Sequence, residues 1–152
     1  MLIEGAVKND LDEILVLQKL AYQSEAELCD DYSIPPLTQT MESMEEDFSR
    51  MIILKAVEEG KIIGSVRAFE ENGVCHIGRL MVDPTRQNKG IGRMLMKHIE
   101  ACFPDCRRFS LFTGKNSLKN LSFYGRLGYR SVKEEQVNKK LTLVYLDKER
   151  DM

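Results

Sequence analysis

Arg79-Leu80-Met81-Val82-Asp83-Pro84-Thr85-Arg86-Gln87-Asn88-Lys89-Gly90-Ile91-Gly92 runs from an apolar, strand-like segment through a turn into residues whose apolar side chains recur at helical spacing. A helix start leaves four backbone N–H groups without acceptors and carries the positive end of the helix dipole. Gly90 and Gly92 take away side chains that would obstruct an anion there, while Arg86, Lys89 and Arg93 add charge around the turn. The stretch therefore reads as a cradle for a pyrophosphate. A dinucleotide loop would need G-x-G-x-x-G in an early strand–helix–strand unit. A Walker loop would need a glycine upstream of Gly114-Lys115-Asn116-Ser117 and a hydroxyl residue directly after the lysine.

Upstream, Leu2 to Val7 suits a short strand, and Asn9 or Asp10 caps a helix with Leu11, Ile14, Leu15, Leu17 and Leu20 on one face. Ser33-Ile34-Pro35-Pro36 breaks the chain, and Leu37 to Phe48 reads as a second helix with Met41, Met44 and Phe48 on one stripe. Three antiparallel strands are expected at Met51 to Val57, Ile62 to Glu70 and Val74 to Val82, with turns at Glu58-Glu59-Gly60-Lys61 and Glu71-Asn72-Gly73. Downstream, Ile91, Leu95, Ile99 and Cys102 line a helix that ends by Pro104, and Phe109 to Phe112 forms a buried strand reached by a parallel crossover. A helix from Asn116 or Ser117 to Leu127 stops at Gly128, and strands come after it around Ser131 to Val137 and Leu141 to Leu146. The fold class is α+β: a mixed central sheet with an antiparallel N-terminal part, one parallel strand pair and flanking helices.

The 152 residues, 43% hydrophobic and 30% charged, fit one domain over residues 1–152 with a core that needs no staple. A net charge of −2 gives no basic character with which to hold nucleic acid. No apolar run approaches the roughly 20 residues needed to span a bilayer, and the four cysteines are scattered, so a reducing cytoplasm and no membrane are expected. His98, Cys102 and Cys106 stand four apart, but Pro104 interrupts the helix between the cysteines and a fourth ligand is missing, so no metal is expected.

Residues 79–92 resemble the acetyl-CoA motif of the GNAT family of N-acetyltransferases, [RQ]-x-x-G-x-[GA] after a strand. Asn120-Leu121-Ser122-Phe123-Tyr124-Gly125-Arg126-Leu127-Gly128-Tyr129 is similar to the family's second block, N-x-x-[LF]-Y-x-x-x-G-[YF]. Together they imply a GNAT fold and transfer of the acetyl group of acetyl-CoA to a primary amine in a direct ternary complex, without a metal. A non-catalytic CoA-sensing or scaffold module and a protein acetyltransferase, acting on lysine or an N-terminus, are the alternatives.

By that resemblance the pyrophosphate lies on Gln87, Asn88, Lys89, Gly90, Ile91 and Gly92, with Arg93 beside it. The pantetheine arm pairs with Leu80, Met81 and Val82, where a bulge turns the N–H of Met81 or Val82 toward the thioester carbonyl. Tyr124 matches the tyrosine that protonates the departing thiolate, and Asn120, with Asn116 in competition, the asparagine that bonds the CoA arm. For the base, His76 stands where some members carry a glutamate, and Glu70 or Glu71 at the adjoining hairpin are the other candidates. Residues 20–49 contain eight acids and no Lys or Arg. They form either a solvated face or an acceptor-side wall that attracts a cationic amine, small molecule or peptide. The alternation at Leu141, Leu143 and Tyr145 suits pairing in a homodimer or a half-buried strand in a monomer.

Overall fold

The structure, a computed structural model, describes residues 1–150. Its organising element is a seven-stranded sheet in the order β1-β2-β3-β4-β5-β7-β6. The strands are β1 Leu2–Gly5, β2 Ile52–Glu58, β3 Lys61–Glu71, β4 Val74–Val82, β5 Arg108–Gly114, β6 Arg130–Gln136 and β7 Thr142–Glu149. Two hairpins set the register of the first half. Glu59-Gly60 joins β2 to β3 and Asn72-Gly73 joins β3 to β4, each with positive φ at both residues, which is the two-residue loop whose twist matches the strands it joins. β4 and β5 run parallel, and every other pairing is antiparallel.

Helices cover both faces. On one side α1 (Leu11–Ala21) and α4 (Met41–Arg50) bury Leu11, Ile14, Leu17 and Met44 against Ile53, Ile62 and Met81. On the other, α5 (Ile91–Ala101) and α6 (Leu118–Arg126) enclose Leu95, Met96, Ile99 and Tyr124 with Ile63, Val66, Cys75 and Phe109. Each such aliphatic side chain contributes about 1.5–3 kcal/mol by leaving water. β3 lies between the two layers, which is why Ile62 to Ala68 are buried without alternation.

The expected strands and the crossover helix are found, with shifted ends; the segment before β2 is divided more finely than the sequence suggested. A short α2 (Gln23–Cys29) comes after α1, and the expected helix over Leu37 to Phe48 is two pieces, α3 (Pro35–Thr38) and α4. The break falls where Thr40 turns to extended backbone and its hydroxyl accepts the Ser43 N–H at 3.1 Å, ending one helix and capping the next.

Two irregularities in β4 open the sheet on one side of this strand. It pairs with β5 only through Val74, Cys75 and His76, after which the strands separate. Against β3, its register passes from Gly78 opposite Arg67 to Met81 opposite Ser65, so Arg79 and Leu80 oppose one residue of β3, with Arg79 at φ 51°. The N-terminal turn of α5 seats on β3 at Gly64, where an added Cβ would meet Leu95 Cδ1 at 3.0 Å, the Met81 carbonyl at 3.1 Å and Ile91 Cγ2 at 3.3 Å. Gly64→Ala is expected to lower the unfolding free energy by about 1–3 kcal/mol in urea titrations, because neither the Met81 backbone nor the helix can yield freely.

Candidate functional site

Beyond His76, one edge of β4 has no strand partner, and the space between it and β5 opens into a cleft of about 1220 Å³. Its walls come from β4, β5, the starts of α5 and α6, the α1–α2 junction and the β6–β7 connection. Backbone groups along an unpaired edge must bond to water or a ligand. An extended chain carrying amides fits that requirement.

At one end of the cleft stands the first turn of α5. Gly90 caps it in left-handed conformation, φ 82°, without a side-chain hydrogen bond. The first helical bond runs from Met94 N–H to the Gly90 carbonyl at 3.1 Å, so the N–H groups of Ile91, Gly92 and Arg93 precede the ladder. A Cβ on Gly90 would meet nothing within 4 Å; the glycine is needed there for its φ and leaves the approach open. Arg93 and Lys119 border the same end, with Lys119 Nζ donating to Gln87 Oε1 at 3.2 Å. Arg86 also lines the cleft but is engaged with Glu58 at 2.6 Å. This arrangement fits a pyrophosphate.

Leu80, Met81, Val82, Gln87, Asn88, Gly90, Ile91, Gly92, Arg93, Asn120 and Tyr124 all line the cleft; Lys89 does not. Tyr124 is 8% exposed, packed edge-on to Phe123 and Tyr129, and its hydroxyl has no hydrogen-bond partner among the described residues. Burial pushes its phenol far above the usual range, so it stays protonated in ordinary conditions. Asn120 donates to Glu25 Oε1 at 2.6 Å and to Thr113 Oγ1 at 3.2 Å. Asn116 instead bonds the Leu28 carbonyl at 3.3 Å.

His76 and Glu70 are not brought to the cleft. His76 sits on the paired part of β4, stacked on Phe69 with ring centroids 5.0 Å apart. Glu70 and Glu71 lie near the β3–β4 turn, opposite Cys75 and Val74. The carboxylate that does face the cleft is Glu25 on α2, which accepts from Asn120 and from Ser117 Oγ at 3.1 Å. Burial raises its pKa, and the Ser117 and Asn120 bonds partly counter that rise. Of the eight acids between residues 20 and 49, Glu25 alone lines the cleft, against eight Lys and Arg side chains. Glu25 lies 95 positions from Asn120, so no local spacing announces the pair.

Beside it, Tyr22 donates its hydroxyl to the Leu80 carbonyl at 3.2 Å, tying the end of α1 to the β4 bulge. Burial pushes the Tyr22 phenol up to about 12, opposed by the nearby Arg79 charge. Behind the bulge Arg67 is 3% exposed and donates to Gln18, Gln39 (3.1 Å) and Met44 Sδ (2.7 Å), with Asp47 at 3.7 Å.

The acetyltransferase (GNAT) family model matches residues 12–129. UPF0157 protein YqkA of Bacillus subtilis (strain 168) is 28% identical over 118 residues, which are 78% of this chain and 34% of that protein; the chain thus spans about a third of its relative's length. Among solved structures, smu.2055 from Streptococcus mutans UA159 superposes with a TM-score of 0.84 at 15% identity, over 98% of this chain and 99% of that one. The PaiA N-acetyltransferase from Thermoplasma acidophilum, in complex with coenzyme A, gives 0.79 at 17% identity, over 99% and 100%.

The two glycines of the α5 turn should separate in mutagenesis. Gly90→Ala is expected to cost about 1–2 kcal/mol of unfolding free energy, the left-handed penalty. Gly92→Ala, inside the helix with its nearest Cβ contact at 3.4 Å, should be neutral or stabilising by up to about 1 kcal/mol. Chemical denaturation of both variants checks the contrast.

Proposed function

Because the chain belongs to the acetyltransferase (GNAT) family, we propose that it moves the acetyl group of acetyl-CoA directly to a primary amine while both are held in the cleft. The observation that carries this reading is the parting of β4 from β5, which sets an unpaired strand edge, a helix start without a side-chain cap and a cleft-facing tyrosine around one space. When bound, acetyl-CoA supplies the acyl group as an activated thioester. The edge from Leu80 to Val82 takes the amide arm as an added strand, and the N–H groups of Ile91 to Arg93, with Arg93 and Lys119, take the pyrophosphate.

A free ammonium has no lone pair, so a proton must leave the amine first. Glu25 accepts it; desolvation makes this carboxylate a stronger base than one in water, and the Ser117 and Asn120 bonds fix its orientation. As the amine nitrogen bonds to the acetyl carbon, a backbone N–H just past the bulge, at Met81 or Val82, stabilises charge on the carbonyl oxygen. The carbon–sulfur bond then breaks and its electron pair leaves on sulfur, where Tyr124 gives up its phenolic proton. The attacking nitrogen, cationic once bonded to the acetyl carbon, loses its second proton, which restores the tyrosine through the cleft, and Glu25 releases the first to solvent, so the net products are an N-acetyl amine, a free thiol and one proton.

Steady-state kinetics with an amine panel, read by thiol release and product mass, tests these roles. Tyr124→Phe and Glu25→Gln are each expected to lower kcat by roughly 10²–10⁴, the usual worth of a positioned acid or base. Wild-type kcat/KM should fall as pH drops through the Glu25 pKa, which lies above the ordinary carboxylate value, and Glu25→Gln should flatten that limb. His76→Ala and Glu70→Gln should leave kcat largely intact. Full activity in Tyr124→Phe would remove it as the acid, and CoA-induced thermal stabilisation without transfer to any amine would favour a binding module instead.

A further inference from the structure

Arg79 is the anomaly of the cleft. It lines the space at the β4 bulge with φ 51°, a conformation that non-glycine residues seldom adopt. Its Nε is buried without a hydrogen-bond partner, and no carboxylate lies within 4.0 Å of its guanidinium among the described residues. Arg67 Nε is buried without a partner as well, but the terminal nitrogens of that guanidinium are bonded. Tyr22 is committed to the Leu80 carbonyl, and Arg67, buried behind, holds Gln18, Gln39 and Met44. Asp47 is turned toward Arg67 and Gln39 and does not pair with Arg79.

A guanidinium held in partial burial without an anion is costly, and a carboxylate is the partner whose planar fork matches it with two parallel bonds. Glu25 stands in the same cleft, held by Ser117 and Asn120. One anchoring cation and one carboxylate therefore face a single acceptor, which asks for a molecule with opposite charges at its two ends. We propose that the acceptor is a small amino acid-like zwitterion, its carboxylate bound by Arg79 and its amine presented to Glu25. This inference rests on the acetyl-transfer reading for its chemistry, but not for its binding. It also replaces the expectation of a purely cationic amine, since seven of the eight acids that suggested one lie outside the cleft.

The experiment compares amino acids with the amines left by removing their carboxylates, in two assays run in parallel. In the first, kcat/KM for acetyl transfer is expected to favour each amino acid by about 10- to 100-fold, the worth of a charged hydrogen-bonded pair. Arg79→Gln should erase that preference through KM for the amino acid, leaving KM for acetyl-CoA unchanged, and Arg79→Lys should keep part of it. In the second, calorimetric titration of the same pairs into the CoA-loaded protein should show the same selectivity and the same loss in Arg79→Gln. Carboxylate-selective, Arg79-dependent binding without transfer would uphold this subsite and refute the acetyltransferase reading. Transfer to decarboxylated amines as fast as to amino acids, or equal loss for both in a folded Arg79→Gln protein, would overturn the subsite and leave that reading standing. No binding of any amino acid would also overturn it.

Discussion

A parallel strand pair that stays bonded for three residues and then opens is the constraint on which the rest of the molecule turns. The β4 backbone pairs with β3 on one side along its length except at the bulge, yet its other edge pairs with β5 only from Val74 to His76. From Ile77 onward that edge has no strand partner. A sheet that simply continued would have buried this edge; separation makes it the wall of a cleft and leaves both helical layers to support it from either side.

That support is polar as well as apolar. Beneath the bulge, Arg67 occupies the middle of a central strand, where an ion is expensive, and Gln18, Gln39, Met44 and Asp47 converge on it from α1, the α3–α4 connection and α4. Gln18 further bonds the Pro36 carbonyl at 2.9 Å. One buried side chain thus fixes three N-terminal segments relative to the strand that carries the irregular residues. Desolvation holds the Arg67 pKa down at about 10, with repulsion from Arg79 adding to it, so it remains charged near neutrality. On the opposite face Tyr129 Oη donates to Glu100 Oε2 at 2.7 Å, and Glu100 also receives Lys148 at 2.9 Å, joining α5 to β7.

How much could be read from the sequence depended on the range of the signal. The two hairpins announce themselves in adjacent residues, Glu59-Gly60 and Asn72-Gly73, and the helix start at Gly90 in six. The Tyr124 block is likewise continuous. By contrast α2 spans seven residues and buries only Ala26 and Cys29, too little for a periodic face to emerge. The division of α3 from α4 depends on a single threonine cap inside an otherwise helical pattern. The proposed acceptor side is least legible, because Glu25, Arg79 and Ser117 come together only when segments tens of residues apart converge. Net acidity of residues 20–49 was a poor guide for the same reason: composition does not say which way a side chain turns.

The chain carries a net charge of −2, yet eight Lys and Arg side chains and a single acid line the cleft. Charge is therefore sorted in space, leaving a positive opening in a body that is negative elsewhere. Such a field reaches about 8 Å through physiological salt and turns an approaching anion toward the opening before any contact is made. The sorting thus acts already at encounter, before any ligand is held, and added salt slows that arrival.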